Sequence, residues 1–280
     1  MLRRMTRALA ALALHGLALV LGALPFPQDA QARTIRQEDV LSASLLPGWQ
    51  TEDGTHMAGV RLDLAPGWKT YWRSPGDAGI PPQFDWSGSQ NLKSVRLHWP
   101  APSVFHTNGY QTIGYLGGVV LPVEIEAQDP TEPVILSAVM ELGVCDKICM
   151  PALVHLSARL IPPGAADPAI RAALNAMPVA ARTAGVTSAT CTVDPIADGL
   201  RLNAAIALPQ QPGPETVAFE TADPGIWVAE SVTRREGGLL IASTDLVPPS
   251  GAPFALDRSG LTLTVIHDDG AIQINGCPAP

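Results

Sequence analysis

Beyond its first thirty-two residues the sequence lacks any apolar run near the roughly eighteen residues that a membrane-spanning helix needs. A carrier built on membrane helices is thereby excluded. Basic residues are also scarce, with 18 Lys and Arg against 26 Asp and Glu and a net charge of −8 at pH 7. Nucleic acid and anionic lipid are therefore disfavoured as partners, and a basic partner surface is better tolerated. No G-x-S-x-G, H-E-x-x-H, P-loop or dinucleotide fingerprint occurs, so those hydrolytic, metalloprotease and nucleotide chemistries lack their usual carriers. Long helical patterns, internal repeats and low-complexity tracts are absent by eye. Cysteine is limited to four residues.

The N-terminus reads as an export signal. Arg3, Arg4 and Arg7 precede an apolar run from Ala8 to Leu24, and Ala30-Gln31-Ala32 offers small residues where a signal peptidase cuts. This pattern predicts a signal peptide over 1–32 and a periplasmic mature chain with no stable membrane insertion. The alternative is an uncleaved anchor, which His15, Gly16 and Gly22 weaken.

Apolar alternation at period two recurs along the rest, as in Val60-Leu62-Leu64, Val119 to Ile125, Val134 to Leu142 and Val154 to Leu160. The 27 prolines and 25 glycines fall mostly between such runs, as the turns of an antiparallel sandwich require. One helical segment stands out at 168–177, with Asp167 as its cap and Pro168 in its first turn. The expectation is an all-β chain of two β-sandwich domains, 33–163 and 185–280, joined over 164–184 by a linker with a short helix. Trp68, Trp72, Trp86 and Trp99 read as packing residues rather than as a sugar platform.

In an exported protein cysteines pair by default, and four allow three connectivities. Cys145 and Cys149 would lie about 13 Å apart on one extended strand, so the chain must turn between them. A hairpin with Asp146, Lys147 and Ile148 at its tip would set them face to face within disulfide reach. The apolar positions on both flanking strands are even-numbered, so these odd-numbered cysteines are expected on the face opposite the core, open to a partner. A ring this small stabilises by only about 2 kcal/mol, against about 4.5 kcal/mol for a loop from Cys191 to Cys277. The latter pair suits a structural bridge. Spacing alone leaves Cys145 and Cys149 either a local clip or a redox pair.

The run Gly67-Trp68-Lys69-Thr70-Tyr71-Trp72-Arg73-Ser74-Pro75-Gly76-Asp77 and its continuation to Pro82, with Phe84-Asp85-Trp86, Trp99-Pro100-Ala101-Pro102, Gly114-Tyr115 and Cys145-Asp146-Lys147-Ile148-Cys149-Met150-Pro151, resembles one family. It is similar to the N-terminal periplasmic region of the DsbD thiol:disulfide interchange proteins, especially the ScsB branch named for suppression of copper sensitivity. The likeness is specific over about residues 45 to 160. It implies an immunoglobulin-like sandwich of protein-disulfide reductase type, which takes electrons from a thioredoxin-like or membrane thiol reductase and passes them to periplasmic disulfide proteins. Cys145 and Cys149 match the redox pair, and Cys149 matches the position attacked. The segment 105–115 matches a cap loop, with His106, Tyr110 and Tyr115 as its candidate residues and Tyr110 as the shielding aromatic.

The exchange reading needs no cofactor. Its rivals are a non-catalytic interaction module and a Cu(I) site, in which Cys145, Cys149 and Met150 would supply soft ligands, with Met140 and His106 as more distant candidates.

Overall fold

The computed structural model describes residues 34–280 apart from 108 and 253, so the expected signal segment lies outside the described residues. The first half of the chain supplies α1 (Gln37–Val40) and strands β1 (Leu41–Gln50), β2 (His56–Leu64), β3 (Lys69–Tyr71), β4 (Gln83–Asp85), β5 (Leu92–Leu97), β6 (Ser103–Thr107), β7 (Tyr110–Leu116), β8 (Gly118–Ala127), β9 (Val134–Cys145) and β10 (Cys149–Leu160). These form a four-stranded sheet in the order β1-β2-β8-β5 and a six-stranded sheet in the order β10-β9-β3-β7-β6, with β4 also paired to β9. The chain is all-β and immunoglobulin-like. Ala58, Val60 and Leu62 of β2 and Leu121, Val123 and Ile125 of β8 meet Leu136, Met140 and Leu142 of β9 in one core. Every second side chain points inward, which is why the even positions of β9 and β10 are apolar.

The helix α2 (Pro168–Asn175) follows, capped by the Asp167 carboxylate, which accepts from the backbone N–H groups of Ala169 and Ile170 at 2.7 and 3.3 Å. It is more than a linker. Ile170 is fully buried against β2 and β8, in a socket left by Gly59, where a Cβ would come within 2.9 Å of the Ile170 side chain.

The second half adds β11 (Val179–Ala180), β12 (Ser188–Ile196), β13 (Gly199–Ala207), β14 (Thr216–Glu220), β15 (Trp227–Val228), β16 (Val232–Glu236), β17 (Leu239–Val247), β18 (Thr262–His267) and β19 (Gly270–Asn275). One sheet runs β11-β19-β18-β14, the other β12-β13-β17-β15 with β16 also on β17. Cys191 of β12 is bonded to Cys277, which follows β19, with Cα atoms 5.4 Å apart and both side chains fully buried. This bond staples the two sheets together.

The halves meet along a seam. Ala218, Ile266 and Ala271 pack into the core cluster of the first sandwich. Arg73, just past β3, makes a bidentate ion pair with Glu220 at 2.7 and 3.0 Å and lies over the Trp72 ring at 4.3 Å. Glu230 Oε2 accepts from Gln111 N at 3.2 Å, while its own backbone N–H donates to Asp77 Oδ1 at 3.1 Å. Residues 73–77 are thus held from both sides.

Two outcomes follow from these features. Replacing Cys191 and Cys277 by alanine should cost about 2–5 kcal/mol in denaturant unfolding, and a loss below half a kcal/mol would show that the core alone sets stability. His56 is buried and donates from Nε2 to the Pro47 carbonyl at 2.6 Å; burial, outweighing that bond, lowers its pKa below the ordinary 6.5. The unfolded chain then protonates first, so this stability contribution is complete above pH 6.5 and is lost as pH falls below it. A His56→Gln variant should lack that slope between pH 7 and 5 in urea titrations.

Candidate functional site

The tip of the β9–β10 hairpin brings Cys145 and Cys149 directly opposite each other, with Cα atoms 4.2 Å apart and their sulfurs bonded. Such a short separation is typical of the non-hydrogen-bonded position of an antiparallel pair, where side chains approach most closely. Asp146 N donates to Ile148 O at 3.0 Å and closes the turn. Asp146, Lys147 and Ile148 are exposed.

The two sulfurs differ in environment. Cys149 lies on β10, the end strand of its sheet, and is exposed. Cys145 is 1% exposed, which corrects the expectation that both would stand open. The reason is the strand on its other side. β3 pairs Lys69 with Cys145, and the continuing register sets Tyr71 beside Gly143. A Cβ at Gly143 would lie 2.9 Å from the Tyr71 ring and 2.9 Å from the Ile80 side chain. The absent side chain therefore lets the ring lie flat across β9 and reach the sulfurs.

Tyr71 Oη is 2.8 Å from Cys145 Sγ and 3.5 Å from Cys149 Sγ. Among the described residues, no other side chain hydrogen-bonds to either sulfur. Burial raises the Tyr71 pKa, so the phenol keeps its proton at neutral pH and is available as a donor. Lys69, also buried, has its pKa lowered by desolvation. Its ammonium is aimed away from the cysteines, donating to Thr112 Oγ1 at 3.0 Å and lying 5.0 Å over the Phe105 ring.

The expected cap residues are placed elsewhere. Strands β6 and β7 pair with each other at the far edge of the sheet, rather than forming a loop over the disulfide. Leu116, exposed, is the β7 residue level with the cysteines through Lys69. Tyr110 lies at the other end of β7, about 20 Å along the strand. It is exposed, as is His106. Tyr115 belongs to the core and donates to the Pro100 carbonyl at 2.8 Å, its pKa pushed far up by burial. The aromatic that covers the pair is Tyr71. It stood in the quoted Trp68–Arg73 run, but only the β3–β9 pairing reveals its position.

For soft-metal chemistry the placement is unfavourable. Met150 sits opposite Val144 and packs half-buried on the core, facing away from the cysteines' side of the sheet. Met140 is fully buried in the same core. Among the described residues no group of three or more His, Cys, Asp or Glu side chains could hold a metal ion.

The family described as the N-terminal region of thiol:disulfide interchange protein DsbD matches residues 42–160. Among solved structures, the N-terminal periplasmic domain of ScsB from Proteus mirabilis is similar to this chain, with a TM-score of 0.62 and 25% sequence identity. The likeness covers 88% of this chain and 96% of that one. Curated proteins yielded no match.

Tyr71→Phe tests the sulfur contact. In the reduced protein, loss of the hydroxyl should cost a Cys145 thiolate about 1.5–3 kcal/mol, read as a higher Cys145 thiol pKa in alkylation-rate titrations. An unchanged titration would mean that the contact exists only in the disulfide.

Proposed function

We propose that the chain is a periplasmic relay, reduced by a thioredoxin-like or membrane thiol reductase and reducing periplasmic disulfide proteins in turn, a reading supported by the match of residues 42–160 to the DsbD N-terminal family and by the likeness to the ScsB N-terminal periplasmic domain. Thiol-disulfide interchange is the family's chemistry; the direction and the partners are the proposal. The observation that carries it is the asymmetry of the pair: an exposed Cys149 bonded to a buried Cys145 whose sulfur lies 2.8 Å from the Tyr71 phenol oxygen.

In the loading half-reaction a donor thiolate attacks Cys149 Sγ in line with the existing bond. The donor–Cys149 bond forms, the Cys149–Cys145 bond breaks, and Cys145 leaves as a thiolate that accepts from Tyr71 Oη. The donor's second thiolate then attacks the donor's own sulfur and releases Cys149. The relay now holds two thiols and the donor a disulfide. Discharge runs in reverse order: Cys149 attacks the target disulfide, and Cys145 attacks Cys149 Sγ to free the reduced target.

Burial of the leaving sulfur has a purpose in this scheme. In the disulfide, the buried Cys145 is bonded to the exposed residue of the pair; in the reduced protein, its burial shields the Cys145 thiol from outside oxidants. An exposed, exchange-competent bond of this kind is expected to have a potential above about −300 mV, the range below which structural disulfides fall.

Cys145→Ala should accumulate a mixed disulfide through Cys149 with a thioredoxin-like protein that lacks its second cysteine and carries its first as a mixed disulfide with a thionitrobenzoate leaving group, whereas Cys149→Ala should trap little. Equal trapping by the two variants, or a Cys145–Cys149 potential below about −300 mV, would overturn the relay.

A further inference from the structure

β10 ends its sheet, so half of its main-chain groups point outward rather than to β9. Leu153 identifies which half. Leu153 N donates to Gln37 Oε1 at 3.0 Å, and Gln37 Nε2 donates to Leu153 O at 2.9 Å. A side-chain carboxamide thus makes the two bonds that a residue of a neighbouring strand would make. Because the pattern alternates, Cys149 and Pro151 share this outward set, and Pro151 contributes only its carbonyl.

Beside this edge, on the face that carries the cysteines, lies a groove of about 380 Å³. Its apolar wall includes Ile80, Pro81, Pro151 and Leu153, of which Ile80 and Leu153 are 43% and 49% exposed. Glu141 is the one charged residue of the lining, and no ion pair engages it among the described residues. Gln37 closes the groove's rim.

We propose that the β10 edge from Cys149 to Leu153 is the docking site for an extended, cysteine-bearing segment of the disulfide protein that the relay reduces, which adds as a strand and displaces Gln37. The inference rests on the exchange reading above and names the recognition that reading lacks. A residue paired with Cys149 on an added antiparallel strand has its Cα about 5.5 Å away and its side chain on the same face, a geometry that a disulfide accepts. The partner's reacting cysteine is therefore itself a strand residue. The residue two along lies opposite Pro151 and points to the groove side, so it is apolar. The residue four along, about 13 Å from the cysteine, replaces the Gln37 carboxamide at Leu153. A flanking Lys or Arg answers Glu141. Exchanging a side-chain amide for a main-chain one preserves both hydrogen bonds, so displacement costs little.

The test uses the oxidised full chain and a short acetylated peptide with a central cysteine, threonine and valine alternating on both sides and lysine at the ends, so that either strand direction is served. Mixed-disulfide formation is timed against reduction by dithiothreitol. Methylating the peptide's backbone nitrogens at alternate residues should slow its reaction about tenfold in one of the two phases and leave the other phase unaffected. Gln37→Ala should raise the ratio of peptide rate to dithiothreitol rate. If neither methylation phase nor Gln37→Ala changes that ratio while dithiothreitol still opens the Cys145–Cys149 bond, strand docking is wrong and the exchange reading stands. If no thiol opens the bond, the exchange reading falls and the docking proposal falls with it.

Discussion

Everything at this site depends on the register of one hairpin. A shift of a single residue between β9 and β10 would turn one cysteine into the core and leave the other facing its neighbour's backbone. The register is secured far from the tip, by Leu136, Met140 and Leu142 on one strand and Leu156 and Leu160 on the other, all buried in the same core. Twelve paired positions on β10, from Leu160 to Cys149, transmit that alignment to the sulfurs. The hydrophobic effect thereby fixes the position of a covalent bond at the surface.

The second determinant is a missing side chain. Gly143 allows a tyrosine from a different strand to lie across β9, and so makes the pair asymmetric, with Cys145 under cover and Cys149 exposed. The segment that follows Tyr71 is clasped by Glu220 and Glu230 of the second sandwich before it carries Ile80 over the same glycine. The far half of the chain therefore contributes to the surroundings of a bond it never touches.

Much of this architecture was legible in the sequence because it is local. Period-two alternation marked β2, β8, β9 and β10, and Asp167 before Pro168 marked the start of α2. The four-residue spacing of Cys145 and Cys149 was enough to require a turn and to place them opposite each other. What was not legible is non-local. β1 contains Pro47-Gly48 and a register break between Leu46 and Trp49, so its sequence reads as a turn. β6 and β7 are short and polar in part, and passed for a loop. The burial of Cys145 depends on β3, a three-residue strand whose pairing with β9 leaves no periodic trace, and Tyr71 was hidden for the same reason. Parity along β9 correctly separated the core face from the other face; it could not tell that the other face is also covered near its end.

The socket at Gly59 has a bearing on kinship. An ordinary side chain there would collide with Ile170, so a sandwich that carries its tail docked as here is obliged to keep that position bare. A sandwich without such a tail would gain from filling it, since an exposed glycine in a strand interior costs about 0.5–1 kcal/mol relative to alanine. The identity of one residue in β2 could therefore sort related chains into those built with a second sandwich clasped to the first and those in which the first stands by itself.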